Sequence, residues 1–179
     1  MPLEPGEVDD STVTAPSFES RIGHCRLVPI APGRARDELL PLFLLADDSE
    51  QQVQSYYQHG RLFAVSGRDG VVRGITLVLD GDDDVVELKT VAIASGLRRR
   101  GLGRHMLALV LRELQLAGTR RVLVGTGNCS LGEIAFYQKA GFRLYAIQRD
   151  VFTPARGYPR AQRENGIALR DLVWLDTEL

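Results

Sequence analysis

Positions 98–104 read Arg98-Arg99-Arg100-Gly101-Leu102-Gly103-Arg104, four guanidinium groups set around two glycines. A turn of this kind leading into a helix is suited to hold an anion. The first amides of a helix have no intrahelical partner, and the helix dipole favours negative charge there. Glycine lets a ligand approach the backbone, and arginine adds charge-assisted hydrogen bonds. A diphosphate matches this donor set. The lysine and hydroxyl residue that close a P-loop are missing, which argues against a magnesium-bound triphosphate. The same run also suits a solvated basic turn whose glycines serve geometry alone.

Just upstream, Val85-Val86-Glu87-Leu88-Lys89-Thr90-Val91-Ala92-Ile93 is apolar apart from two charges and a threonine. A period of two places Glu87 and Lys89 on the face that carries Val91 and Ile93. An ordinary exposed ion pair explains the two charges, and so does a carboxylate kept for proton transfer. Lys89 on the same face would lower the pKa of Glu87 and weaken it as a base. The thiol of Cys129 has no histidine near it in sequence and stands in a helix-cap context, so a small buried residue is expected there rather than a nucleophile.

The elements that must position these groups follow from periodicity and turn chemistry. Residues 25–30 read as a first strand, and 37–46 as a leucine-rich helical stretch interrupted by Pro41. Ser49 can cap a short helix with Gln52 answering it, and Gly60 lies past its end. Residues 62–66 and 72–79 read as hairpin strands joined through Arg68-Asp69-Gly70, and 85–93 as a third strand. Leu102, Met106, Val110, Leu114 and Ala117 line one face of a helix that Gly118 closes. A strand at 121–125 follows, then a helix to about Lys139 with Ser130 and Glu133 at capping-box spacing, then strands at 142–151 and 167–176. The sum is a mixed α/β domain with one central sheet flanked by helices.

Residues 1–20 carry three prolines, several acids and few large apolar groups, and are expected to form a loose tail before a single domain at 21–179. Within 179 residues, 44% are hydrophobic, enough for a sizeable core. The 22 basic and 23 acidic side chains leave a net charge of -1, so no global field recruits nucleic acid or an anionic membrane. The two cysteines and three histidines lack metal-ligand spacing, and no metal is expected. With no apolar leader or long apolar run, a cytoplasmic location and no membrane partner are the simplest expectations.

The segment from Glu87 to Gly103, ending in Arg-x-x-Gly-x-Gly, resembles the main coenzyme A motif of the GCN5-related N-acetyltransferases (GNAT). Asn128 through Phe142, ending Ala135-Phe136-Tyr137-Gln138-Lys139-Ala140-Gly141-Phe142, resembles the family's second motif. The resemblance covers residues 25–176. It implies the GNAT-like fold, a mixed, mostly antiparallel sheet flanked by helices, and transfer of an acetyl group from acetyl-CoA to a primary amine in a ternary complex. It further implies that Val91, Ala92 and Ile93 offer the backbone for the pantetheine arm. Arg98, Arg99, Arg100, Gly101, Leu102, Gly103 and Arg104 would then hold the pyrophosphate, Asn128 would touch the cofactor, and Lys139 would lie near the adenosine end. Glu87 matches the family's general base, usually acting through water, and Tyr137 the tyrosine that protonates or stabilises the departing sulfur. On residue pattern alone, Tyr137 reads first as a packed helix aromatic, and Lys139 reads equally as a dipole-compensating helix end.

An unprotonated nucleophile is a real requirement, since an alkyl amine titrates near ~10.4 and is mostly charged at neutral pH. The acceptor, expected to be a small-molecule amine, would meet the long loop 152–165, with Asp150 and Glu164 as candidate contacts. Those two acids can equally pair with Arg156, Arg160 and Arg163. A non-catalytic CoA-binding protein, a protein or peptide N-acetyltransferase and a homodimer are compatible with the same motifs. The run Gly125-Thr126-Gly127 does not make a dinucleotide fingerprint, because serine stands at position 130 where the third glycine is required.

Overall fold

A computed structural model gives the fold of residues 15–20 and 23–179. In chain order it comprises β1 (Ser17–Ser20), β2 (Gly23–Ile30), α1 (Arg34–Asp37), α2 (Leu40–Phe43), α3 (Glu50–Tyr56), β3 (Arg61–Gly67), β4 (Val72–Asp80) and β5 (Val85–Ile93). There follow α4 (Leu102–Leu116), β6 (Arg121–Gly127), α5 (Leu131–Lys139), β7 (Arg143–Gln148), β8 (Arg163–Glu164), β9 (Ile167–Ala168) and β10 (Leu172–Glu178). Eight strands form one sheet in the order β1-β2-β3-β4-β5-β6-β10-β7, and β8 and β9 form a small ribbon. Within the large sheet β5 and β6 run parallel and the other neighbours antiparallel. This is the mixed, mostly antiparallel sheet that the sequence implied.

Helices cover both faces. Leu102, Met106, Leu107, Val110 and Leu114 of α4 are buried with Val65, Val78, Val86, Leu88 and Leu175. On the opposite face, Phe43, Val53 and Tyr56 from α2 and α3 pack on Leu62, Ala64, Ile75, Leu77 and Ala92. The alternation of Leu62 and Ala64 with Phe63 and Val65 along β3 shows the period of two. Burying each such aliphatic chain is worth roughly 1.5–3 kcal/mol, so α4 is held mainly by its apolar face.

Local signals explain several boundaries. Ser49 Oγ accepts from the amide of Gln52 at 3.2 Å, the anticipated cap of α3. Gly60 follows with φ +62, and a Cβ there would stand 2.2 Å from the carbonyl oxygen of Val78. Gly60→Ala therefore meets both a left-handed backbone penalty and a clash with backbone that cannot swing away. The expected loss is about 2–4 kcal/mol, read as a lower urea midpoint with unchanged slope. A shift below a few tenths of a kcal/mol would refute it.

Four expectations are corrected. Ser17–Ser20, placed in the tail, pairs as β1 with β2; residues 1–14 of that tail lie outside the described residues. Ser130 does not cap α5, because its hydroxyl donates instead to Glu164 at 3.0 Å. The strand expected at 167–176 is broken, because Asn128 gathers the backbone of Ala168, Arg170 and Asp171 into a turn and β10 begins only at Leu172.

The fourth correction concerns the face of Glu87. In the β4–β5 ladder Leu77 faces Thr90 and Val78 faces Leu88, so Lys89 is an extra residue, a β-bulge. The bulge reverses the alternation. Val86 and Leu88 pack toward α4, as do Val91 and Ile93 beyond it, whereas Ala92 packs toward α2 and α3. Glu87 and Lys89 thus lie on the α3 face, opposite Val91 and Ile93.

Candidate active site

The parallel pairing of β5 with β6 covers only Val85 to Leu88 against Arg121 to Val124. Beyond the bulge the strands part, β5 staying with β4 and Gly125 to Gly127 of β6 staying with β10. The amide of Ala94 donates to Arg73 at 2.9 Å, which aims the backbone of residues 94, 92 and 90 at β4. By the same alternation, the N–H and C=O groups of Val91 and Ile93 face the opening. A V-shaped cleft therefore has one wall of backbone that no neighbouring strand pairs, a template for a ligand with amide groups, although the Ile93 carbonyl already accepts from Arg98.

At the mouth of the cleft the chain passes through a 3-10 turn, Ser95–Leu97, and reaches α4 with Arg99 at φ 59 and Gly101 at φ 83. The amides of Leu102, Gly103 and Arg104 make no hydrogen bond among the described residues. Arg99, Arg100 and Arg104 are exposed with no side-chain partner there, and Arg98 Nε donates to the Ile93 carbonyl at 3.2 Å. A Cβ on Gly103 would only touch Ile93 and Phe136 at ordinary distance. This loop borders a cavity of about 560 Å³ that Glu19, Ser20 and His105 also line. Phe18 stacks on His105 at 4.9 Å, and His105 Nδ1 lies 2.9 Å from the Gly101 carbonyl. That brace was not legible beforehand, because Phe18 lies in the segment expected to be a loose tail.

On the α3 face, Glu87 pairs with Lys89 Nζ at 3.3 Å, and that ammonium sits 5.3 Å from the centre of the Tyr56 ring. The Tyr56 hydroxyl donates to Asp47 Oδ2 at 3.3 Å. Burial first, and then the Asp47 carboxylate, push the hydroxyls of Tyr56 and Tyr158 well above the ordinary tyrosine range. Loop 152–165 closes on this wall: Ser49 Oγ donates to the Arg156 carbonyl at 2.7 Å, and Gln162 to Asp48 at 2.5 Å. Asp47, Tyr56 and Tyr158 were not singled out from sequence. Only the placing of Tyr56 on the buried side of a capped helix could have suggested one of them.

Tyr137 lies on the other face, buried in α5 between Phe136 and Phe142 at ring separations of 5.2 and 5.7 Å. Burial, with a smaller contribution from the charge of Glu133, raises its hydroxyl pKa strongly, so it keeps its proton at neutral pH. Among the described residues that hydroxyl has no hydrogen-bond partner. Glu87 and Tyr137 thus flank the cleft from opposite faces of the sheet.

Of the remaining candidates, three are held by partners within the fold. Asn128 spends its carboxamide on the backbone of Ala168, Arg170 and Asp171, leaving a single N–H for any ligand. Lys139 is exposed in the last turn of α5. Asp150 pairs with Arg170 at 2.9 Å, and Glu164 accepts from Ser130, so neither is brought to Glu87. Among the described residues, neither pairs with Arg156, Arg160 or Arg163, the partners that their neighbourhood in sequence suggested. Cys129 is buried, and its thiol pKa is raised by that burial and by Glu164, which disfavours the thiolate. No cluster of three metal-ligating side chains occurs among the described residues, and no helix of theirs is long and apolar enough to cross a membrane.

Residues 33–142 match the Acetyltransferase (GNAT) family. A Bacillus subtilis protein, the uncharacterized N-acetyltransferase YvbK, is 34% identical over 143 residues, spanning 80% of this chain and 90% of its own length. A solved Bacillus subtilis acetyltransferase in complex with CoA superposes with a TM-score of 0.77 at 32% identity, covering 87% of this chain and 99% of that one. A GNAT family acetyltransferase from Elizabethkingia anophelis with acetyl-CoA bound gives 0.78 at 29% identity, covering 87% and 98%.

Proposed function

Because the chain belongs to the GNAT acetyltransferase family, we propose that it moves an acetyl group from acetyl-CoA directly to a primary amine, with a small molecule as acceptor. The observation that carries this reading is the continuity of the cleft. A strand edge at Val91 and Ile93 that no strand pairs runs into a loop of free amides and exposed arginines, and a carboxylate and a protonated phenol flank it from opposite faces. The donor set fits a long ligand with amides in the middle and a diphosphate at one end.

When bound, acetyl-CoA supplies a thioester whose acyl carbon is open to nucleophiles. The chain's own groups then divide the work. Val91 and Ile93 hold the pantetheine amides through their backbone, and the amides of residues 102–104 with Arg98, Arg99, Arg100 and Arg104 hold the pyrophosphate. Fixing both reactants in one cleft provides much of the rate gain. Glu87 takes the proton that the incoming ammonium must lose, directly or through water. Tyr137, held neutral by burial, offers its hydroxyl as a hydrogen-bond donor that stabilises the departing sulfur. The wall of Asp47, Tyr56, Tyr158 and loop 152–165 supports a compact acceptor on the α3 face, where Glu87 lies. The side-chain bonds of Asn128, Asp150 and Glu164 favour a supporting role for these residues.

The test is to incubate the protein with acetyl-CoA and a panel of amines, polyamines, amino acids and aminoglycosides, and to measure free thiol. Amine-dependent thiol release is expected for at least one class. Its absence throughout, with acetyl-CoA binding intact, would leave a CoA-binding protein without catalysis. Tyr137→Phe keeps the ring packed against Phe136 and Phe142 while deleting the hydrogen-bond donor. Its kcat should fall about 10²-fold with little change in the KM for acetyl-CoA. An unchanged kcat would remove Tyr137 from the mechanism.

A further inference from the structure

Among the 22 Lys and Arg residues of the chain only two are lysines, Lys89 and Lys139. An ion pair with Glu87 and a cation resting on the Tyr56 ring are tasks arginine does as well or better, and arginine stays charged throughout. Lysine differs in one respect that matters beside a base: its nitrogen can lose a proton and become a nucleophile. That lysine stands on the bulge where β5 and β6 part, two residues before the open edge that begins at Val91. A pantetheine arm running from the arginine loop along Ile93 and then Val91 brings its thiol end to this point. Lys89 is exposed, with its amine 3.3 Å from Glu87 on the face assigned to the acceptor.

Building on the function proposed above, we propose that Lys89 is itself an acetyl acceptor, modified within its own chain when no amine substrate is present. The Lys89 nitrogen forms a C–N bond with the acyl carbon as the thioester C–S bond breaks. Of the two protons the ammonium gives up, one passes to Glu87 and on to solvent, and the other ends on the leaving sulfur. The resulting amide is neutral. It ends both the ion pair with Glu87 and the contact of a cation with Tyr56, so the modified chain carries an unpaired carboxylate facing the acceptor wall. An incoming amine must take the place that the Lys89 ammonium holds in the free protein.

The experiment is mass spectrometry of the full chain after incubation with acetyl-CoA alone, with peptide mapping of the two lysines. A single acetyl group on Lys89 is expected, with Lys139 unmodified as the internal control and one thiol released per acetyl group. The rate should be independent of protein concentration, as a reaction within one chain requires. It should fall by about 10²-fold or more in Glu87→Gln, because proton removal is then lost. Lys89→Arg keeps the ion pair and should abolish the thiol released without an amine. Equal labelling of Lys89 and Lys139 would show unassisted chemistry and overturn the proposal. So would an unlabelled Lys89 in a preparation that acetylates an added amine, which would leave the proposed function standing. An unlabelled Lys89 in a preparation that turns over no amine would overturn both.

Discussion

Glu87→Gln should lower kcat for amine acetylation about 10²–10⁴-fold while leaving acetyl-CoA affinity nearly unchanged. Glutamine preserves the size of the side chain and can still meet Lys89 and water, so the fold and the cleft edge at Val91 and Ile93 are untouched. What it cannot do is accept a proton. The defect should therefore appear in kcat and shrink as pH rises toward the pKa of the amine, about 10.4 for an alkyl amine, where the acceptor arrives unprotonated. Glu87→Asp keeps the base but withdraws it from Lys89 and should fall between the two. The pair of variants separates a base from a merely structural carboxylate, since loss of an ion pair alone would be expected to cost little and to show no such pH dependence. Equal rates for Glu87→Gln and the natural protein across pH would assign proton removal to another group.

The geometry behind that expectation was only half legible beforehand. The span of β5, residues 85–93, follows from a run of β-branched and apolar residues, and the bounds observed are those read from the sequence. The apolar face of α4 and the Ser49 cap were equally plain, because each is a local signal with its own spacing. The bulge at Lys89 was not, since both faces of a covered strand are apolar and one inserted residue leaves the hydrophobic run intact. Yet that single residue decides that Glu87 looks toward α3 and not toward α4. The acceptor wall was hidden for a different reason: Asp47, Tyr56 and Tyr158 meet only because loop 152–165 folds back on the start of α3 through Ser49 and Arg156. Asn128 and Glu164 show the converse. Their residue types suggested ligand contacts, and long-range partners that no periodicity announces claim them for the fold. Local chemistry points to the arginine-glycine loop, and tertiary closure shapes the wall proposed for the acceptor.

The largest loss of stability is expected at a residue outside the chemistry. Arg36 is buried to 1% exposure, and its guanidinium makes five hydrogen bonds to the carbonyls of Ile30, Tyr57, His59 and Gly60. Burial lowers its pKa, but a guanidinium starts so high that the group remains charged. It joins the end of β2 to the segment that leaves α3, and so fixes where Tyr56 stands. Arg36→Met fills much of the same volume but strands four carbonyls and should destabilise the protein by about 3–5 kcal/mol. For a chain of this size that corresponds to a melting temperature lower by roughly 10 °C or more. Arg36→Lys should recover little, because one ammonium on a flexible stem cannot reach four acceptors arranged for a planar fork. At temperatures where Arg36→Met is still folded, the looser end of α3 should raise the KM for the amine more than that for acetyl-CoA. This follows because Tyr56 belongs to the wall proposed for the acceptor, and the loop proposed for the pyrophosphate hangs on α4. A urea midpoint shifted by less than about 1 kcal/mol would mean that water or a rearranged chain satisfies those carbonyls without the arginine.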